Sequence, residues 1–117
     1  MIEKTILDYL NASSLTVTAY AQRPANEPAS YVIIEKTGST RANRVDTATI
    51  AVQSIAPTLY GAAVLNEEVK AIMDDLAEEA DVGSVKLVSD YNFTNTAAKR
   101  YRYQAVYDIT YYEDYEE

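Results

Sequence analysis

Between Val45 and Leu76 the pattern of apolar and polar residues changes period once, and the rest of the chain is organised around that change. Up to Ala56 the period is two. Ala48, Ile50 and Val52 fall on one side of a pleat and Thr47, Thr49, Ala51 and Gln53 on the other, which predicts a strand with one apolar face. Pro57 stops the ladder, and Thr58 is placed to accept a free amide of a first helical turn. From there Ala62, Leu65, Val69, Ile72 and Leu76 recur at helical spacing, while Glu67, Glu68, Lys70, Asp74, Asp75, Glu78 and Glu79 occupy the other sides. The spacing predicts a helix whose stripe packs on the apolar face of the strand.

The flanking segments follow the same two periods. Ile2, Ile6, Leu7 and Leu10 suit a short amphipathic helix ending at Asn11-Ala12-Ser13-Ser14. Leu15 to Tyr20 alternates as a strand, and Pro24 and Pro28 mark a surface loop, since proline cannot join a central ladder. Tyr31 to Thr37 is rich in β-branched residues and predicts an inner strand. Gly38 to Arg44 then reads as the long tip of a hairpin leading back into the organising strand. Beyond the helix, Gly83 suits a cap or turn. Val85, Leu87, Ser89, Tyr91 and Phe93 alternate with Lys86, Val88, Asp90 and Asn92, and residues 92–98 form a polar connection. Arg100 to Tyr112 closes the sheet as a long strand. The expected fold is a single α+β domain over residues 1–117, an antiparallel or mixed sheet with two helices packed on it in the order α-β-β-β-α-β-β.

Composition narrows the chemistry. A chain of 117 residues suits one modest core. Cysteine and histidine are both absent, which removes disulfides, thiolate catalysis, imidazole bases and every His- or Cys-bearing metal site. Carboxylates, lysines and tyrosines are left for any reaction, so no enzyme activity and no cofactor is expected. The net charge of -8 argues against gripping phosphates over a broad surface. No apolar run approaches the roughly 18–20 residues that span a bilayer, and Glu3, Lys4 and Asp8 interrupt any signal-peptide pattern, so a soluble product made in the cytoplasm is expected.

Three candidate sites remain. Six of the eleven tyrosines lie between Tyr101 and Tyr115, and Tyr101, Tyr103, Tyr107 and Tyr111 share one face of the last strand. They suit a half-buried pleat, a subunit interface or, less well without surrounding basic charge, a stacking platform for bases. Arg41 and Arg44 on the hairpin tip can reach carboxylates of a neighbouring subunit, or phosphates, through forked hydrogen bonds, or stand in solvent. Glu78, Glu79 and Asp81, with Glu113, Asp114, Glu116 and Glu117, match no calcium loop and read as a solvated helix end and a frayed tail.

The text Val32-Ile33-Ile34-Glu35-Lys36-Thr37-Gly38, then Arg41, Val45-Asp46, Ile50-Ala51-Val52-Gln53 and Ala56-Pro57-Thr58, followed by an Ala-rich helix, resembles the tail terminator and minor tail proteins of long-tailed bacteriophages. The resemblance spans roughly Tyr31 to Leu76. It implies a non-enzymatic virion component of the tail or neck, assembled in the host cytoplasm. Such proteins form a ring, typically a hexamer, that caps the tail tube, ends its polymerisation and meets the head connector. The implied partners are further copies of the chain, the tail tube protein and the neck proteins. DNA passes through the lumen without sequence-specific contact, and no membrane is involved. By position, Gly38, Arg41, Val45 and Asp46 match the family's hairpin loop, and that tip, with Arg44, is expected at a subunit contact or facing the lumen. A neck or head-completion protein and a small dimeric ligand-binding module remain alternative readings.

Overall fold

The residues from Val45 to Ala56 form the central strand of a five-stranded sheet. The structure is a computed structural model and describes residues 2–42, 45–79, 82–94 and 100–112. Helix α1 (Ile2–Ala12) leads to β1 (Ala19–Tyr20), β2 (Tyr31–Ala42) and β3 (Val45–Ala56). Helix α2 (Leu59–Asp75) follows, ending in a 3-10 turn at Leu76–Glu78, and then come β4 (Val82–Asn92) and β5 (Tyr101–Tyr111). The order α-β-β-β-α-β-β is the expected one. The sheet is mixed: its strands lie in the order β1-β2-β3-β5-β4, with β1 parallel to β2 and every other pair antiparallel.

Each boundary has a local cause. Thr58 adopts extended backbone angles and its Oγ1 accepts from the Gly61 amide at 3.0 Å, which starts α2 directly after Pro57. A side chain at Gly61 would meet that same Oγ1 at 2.9 Å, so the cap itself favours glycine there. The stripe Ala62, Leu65, Val69, Ile72 and Leu76 is buried as the spacing implied, and Met73 joins it. With Ile2, Ile6 and Leu10 of α1 it covers Val32 and Ile34, Ala48, Ile50 and Val52, and Ala105, Tyr107, Ile109 and Tyr111 in one continuous core. Each large aliphatic residue fully buried there contributes about 1.5–3 kcal/mol.

Four expectations change. First, the Leu15–Tyr20 strand shrinks to Ala19–Tyr20, because side chains supply the polar partners that a ladder would otherwise provide. The Asn11 amide bonds both the Ala19 N–H (2.9 Å) and its carbonyl (3.1 Å), and Glu68 accepts from the Thr16 amide (2.6 Å) and hydroxyl (3.0 Å). Second, the expected long hairpin tip is strand. The β2–β3 ladder runs out to Ala42 opposite Val45, past a register shift between Lys36 and Gly38, and forms a long hairpin arm whose β2 side is exposed from Glu35 to Ala42.

Third, Gly83 lies within β4 and caps no helix. A Cβ there would approach the Tyr112 hydroxyl to 3.0 Å. Fourth, a bulge between Leu87 and Ser89 reverses the alternation of β4 midway. Val85 and Leu87 stand opposite Ile109 and Tyr107 on the helix side, whereas Tyr91 stands opposite Gln104 on the other face. The same reversal carries Asp90 over α2, where it accepts from Asn66 Nδ2 and Lys70 Nζ, each at 2.6 Å. No helix of the described residues is long and apolar enough to cross a membrane.

Truncating Ile50 should separate core from surface. Ile50→Ala, at a fully buried position, should lower unfolding free energy by about 2–5 kcal/mol, whereas Tyr60→Ala, 81% exposed, should stay within about 0.5 kcal/mol. Thr58→Ala should cost about 1 kcal/mol through the lost cap. Urea denaturation of the three variants measures all of these.

Candidate subunit interface

The hairpin arm owes its length to Thr, Ser and charged residues that tolerate exposure on both faces. From Glu35 to Ala42 every residue of β2 is exposed, including Gly38, which pairs with Thr49. Arg41 lies directly opposite Asp46 in the ladder, and its guanidinium grips that carboxylate in a fork, Nε to Oδ1 at 2.6 Å and Nη2 to Oδ2 at 3.2 Å. Asp46 occupies the helix-side face beyond Ala48 and pairs with Tyr111 on β5, so its side chain is only 8% exposed while that of Arg41 is 54% exposed. Lys36, Ser39, Thr40, Arg41, Asp46 and Tyr111 together border an open polar concavity of about 410 Å³. Gly38, Arg41 and Asp46 are thus brought onto one arm as ladder residues, which corrects their placement in a loop. Arg44, and with it Asp81 and the acidic residues 113–117, lies outside the described residues.

The tyrosine face divides. Tyr107 is 1% exposed and Tyr111 6%, both within the core beneath the helices, so neither is available to a neighbouring subunit. The cause is topological: the odd-numbered side of β5 continues the Ala48, Ile50 and Val52 side of β3, which the helices cover. Tyr103 is half-buried and Tyr101 is 39% exposed, near the open end of the strand. Burial pushes the Tyr107 phenol well above its ordinary pKa, and the negative charge of Asp74, Asp90 and Glu67 adds to the effect. Its hydroxyl has no hydrogen-bond partner among the described residues.

Two apolar surfaces escaped the sequence reading. Along the outer edge of the sheet, Leu87, Val88 and Tyr91 of β4 and the adjacent Phe93 are each 41–52% exposed, and Tyr91 meets Phe93 edge-to-face with ring centroids 5.8 Å apart. The adjacent apolar pair Leu87-Val88 was the available signal, since strict alternation places one of any such pair in solvent. On α2, Leu59, Tyr60 and Val64 stand off the buried stripe, and Tyr60 and Val64 border a cleft of about 220 Å³ with Thr16 and Val17. The face of the sheet away from the helices is tied by side-chain bonds, Thr49 Oγ1 to Asp108 Oδ1 and Gln53 Nε2 to Gln104 Oε1, each 2.9 Å. Among the described residues no group of three or more His, Cys, Asp or Glu side chains is placed to hold a metal ion.

No protein-family model matches the chain, and no curated protein sequence matches it. The fold is found in a solved structure described as the virion of a native gene transfer agent (GTA) particle. There, 94% of this chain and 93% of the other superpose with a TM-score of 0.71 at 13% sequence identity, a likeness of fold from end to end.

Two measurements examine this geometry. Tyr107→Phe removes an unpartnered buried hydroxyl and should leave stability unchanged or raise it by about 1 kcal/mol. Because the folded-state pKa of Tyr107 is raised, its contribution is complete below the unfolded value of 10.0 and falls as pH rises above it. Urea midpoints taken on either side of that pH should therefore drop less in Tyr107→Phe than in the parent. A double-mutant cycle with Arg41→Ala and Asp46→Ala should give a coupling on the order of 1 kcal/mol, since the carboxylate is buried and the fork bidentate.

Proposed function

We propose that this chain is a structural component of a phage-like virion, assembling into a ring that caps the tail tube, ends its polymerisation and helps join tail to head. The observation that carries the reading is the end-to-end likeness of fold to a chain of a GTA virion particle, which supports a virion structural protein; the tail-capping role is taken from the sequence resemblance of Tyr31 to Leu76. The role is architectural and needs neither catalysis nor cofactor. Its partners are further copies of the chain, the tail tube protein and the neck proteins, and its place is the tail or neck of the virion.

The sheet supports a ring through its two unlike edges. A closed ring requires heterologous contacts, in which one patch meets a different patch on the next copy. One outer strand, β4, carries the exposed Leu87 and Val88. At the other edge β1 pairs only with Val32 and Ile33, so β2 beyond them has β3 alone as a ladder partner. Three successive antiparallel pairings make β2 and β4 run in opposite directions, so β4 of one copy meets β2 of an identically oriented neighbour as an antiparallel pair. The arm bearing Gly38, Arg41 and Asp46, which leads to Arg44 in the sequence, then projects from this contact towards the next subunit or the lumen. Tyr101 and Tyr103 remain available beside β4. The chain's net charge of -8 suits a channel through which DNA slides without adhering.

Native mass spectrometry and negative-stain microscopy of the purified chain, alone and with tail tubes, test the reading. Rings of about six copies are expected, on their own or seated on tube ends. Val88→Asp should abolish them while leaving the urea midpoint nearly unchanged, because Val88 is half exposed at the bulge. A stable closed dimer that ignores tube ends would overturn the proposal, and intact rings in Val88→Asp would overturn the assignment of β4 to the contact.

A further inference from the structure

Three arginines gather at the end of the molecule away from the hairpin tip. Arg23 lies between β1 and β2, Arg100 immediately precedes β5, and Arg102 lies within it. With Glu27, Tyr31 and Ile55 they line an open cleft of about 210 Å³. Arg100 is held in place: its Nη1 donates to the Pro28 and Ala29 carbonyls at 2.8 and 3.0 Å, and its guanidinium carbon lies 5.8 Å from the centre of the Tyr31 ring. Arg23 approaches Glu27 at 3.5 Å, and Glu27 also accepts the Tyr31 hydroxyl. That hydroxyl, with the surrounding arginines, holds the Glu27 carboxyl below its ordinary pKa. The Arg102 guanidinium has no hydrogen bond to any other described residue. One carboxylate therefore faces three guanidinium groups, a local positive excess on a chain of net charge -8.

The complementary charge lies at the far end of the same strand. β5 reaches Tyr111 beside Asp46, and the sequence continues through Tyr112 to Glu113, Asp114, Tyr115, Glu116 and Glu117. Arg102 and Tyr111 are separated by nine residues of extended strand, about 30 Å. The acidic residues, fully extended from Tyr111, reach about 20 Å at most. They fall short of the cleft on their own chain and of the cleft on an identically oriented copy beside it, but reach the cleft of a copy placed end to end.

We infer that the Arg23–Arg100–Arg102 cleft receives the acidic segment 113–117 of an adjacent copy, with carboxylate-to-guanidinium forks as the recognition chemistry. The contact is heterologous, since a cleft at one end takes a segment from the other, and it gives head-to-tail association a direction. It rests on the preceding reading only in requiring a second copy.

Binding of a fluorescent peptide of sequence YYEDYEE, followed by anisotropy, tests this apart from ring formation. The receptor is the full chain with Glu113→Gln, Asp114→Asn, Glu116→Gln and Glu117→Gln, so that no native segment competes. Saturable binding that weakens with added salt is expected, with at least a tenfold loss on adding Arg102→Glu and no binding of the amide peptide YYQNYQQ. Arg23→Glu, in a loop, provides a second variant should Arg102→Glu fail to fold. The inference stands if the peptide binds in this way even where no rings form. It is overturned if the peptide does not bind, if both variants bind it as the parent does, or if only a DNA oligonucleotide occupies the cleft.

Discussion

The constraint on which this structure depends is the double saturation of β3. Its apolar side, Ala48, Ile50 and Val52, is sealed beneath two helices, and antiparallel ladders with β2 and β5 occupy both of its edges. Both of its backbone edges are hydrogen-bonded and its helix-side face is buried, so the strand is fixed in register, and a slip of one residue would turn Thr47 and Thr49 into the core. Strand β5 inherits its facing from β3, which is why Tyr107 and Tyr111 are interior residues. The same saturation displaces whatever is left unpaired to the periphery. The outer side of β2, the outer side of β4 and the far half of the hairpin arm remain for contacts with other molecules.

Much of the architecture was legible because it follows from single-residue chemistry at known spacing. The change from period two to helical spacing at Pro57-Thr58 located both β3 and α2, and the cap geometry agrees with it. The differences arise where a distant partner decides. Glu68, some fifty residues away in sequence, satisfies the Thr16 backbone and leaves β1 short. The β4 bulge has no local marker in the sequence, yet it sends Tyr91 to one face and Asp90 to the other. Gly38, Ser39 and Thr40 have turn-forming character, but pairing with β3 on one side overrides it and makes them strand.

The candidate site was readable in part for the same reason. Arg41 and Asp46 were selected as residues of one hairpin region, and the ladder sets them opposite each other in a forked pair that the sequence does not specify. That pair directs part of the positive charge of Arg41 inward, onto a buried carboxylate of its own chain, and shifts weight in the proposed ring towards the β4 edge, with the arginine cleft as a separate, end-to-end contact. The arginines of that cleft are dispersed in sequence, at positions 23, 100 and 102, and no spacing rule unites them. Their convergence depends on β2 and β5 flanking the same central strand.

An elongated molecule, 47 × 25 × 24 Å, with two unlike sheet edges has a built-in direction, which is what a ring of identical copies requires in order to close. Capping of a growing tube is the most direct expression of the proposed role. Tail tube protein should therefore be polymerised with and without the purified chain, and tube lengths and ends measured by electron microscopy. The account predicts shorter tubes, each bearing a ring of this chain at one end; an unchanged length distribution with bare ends would contradict it.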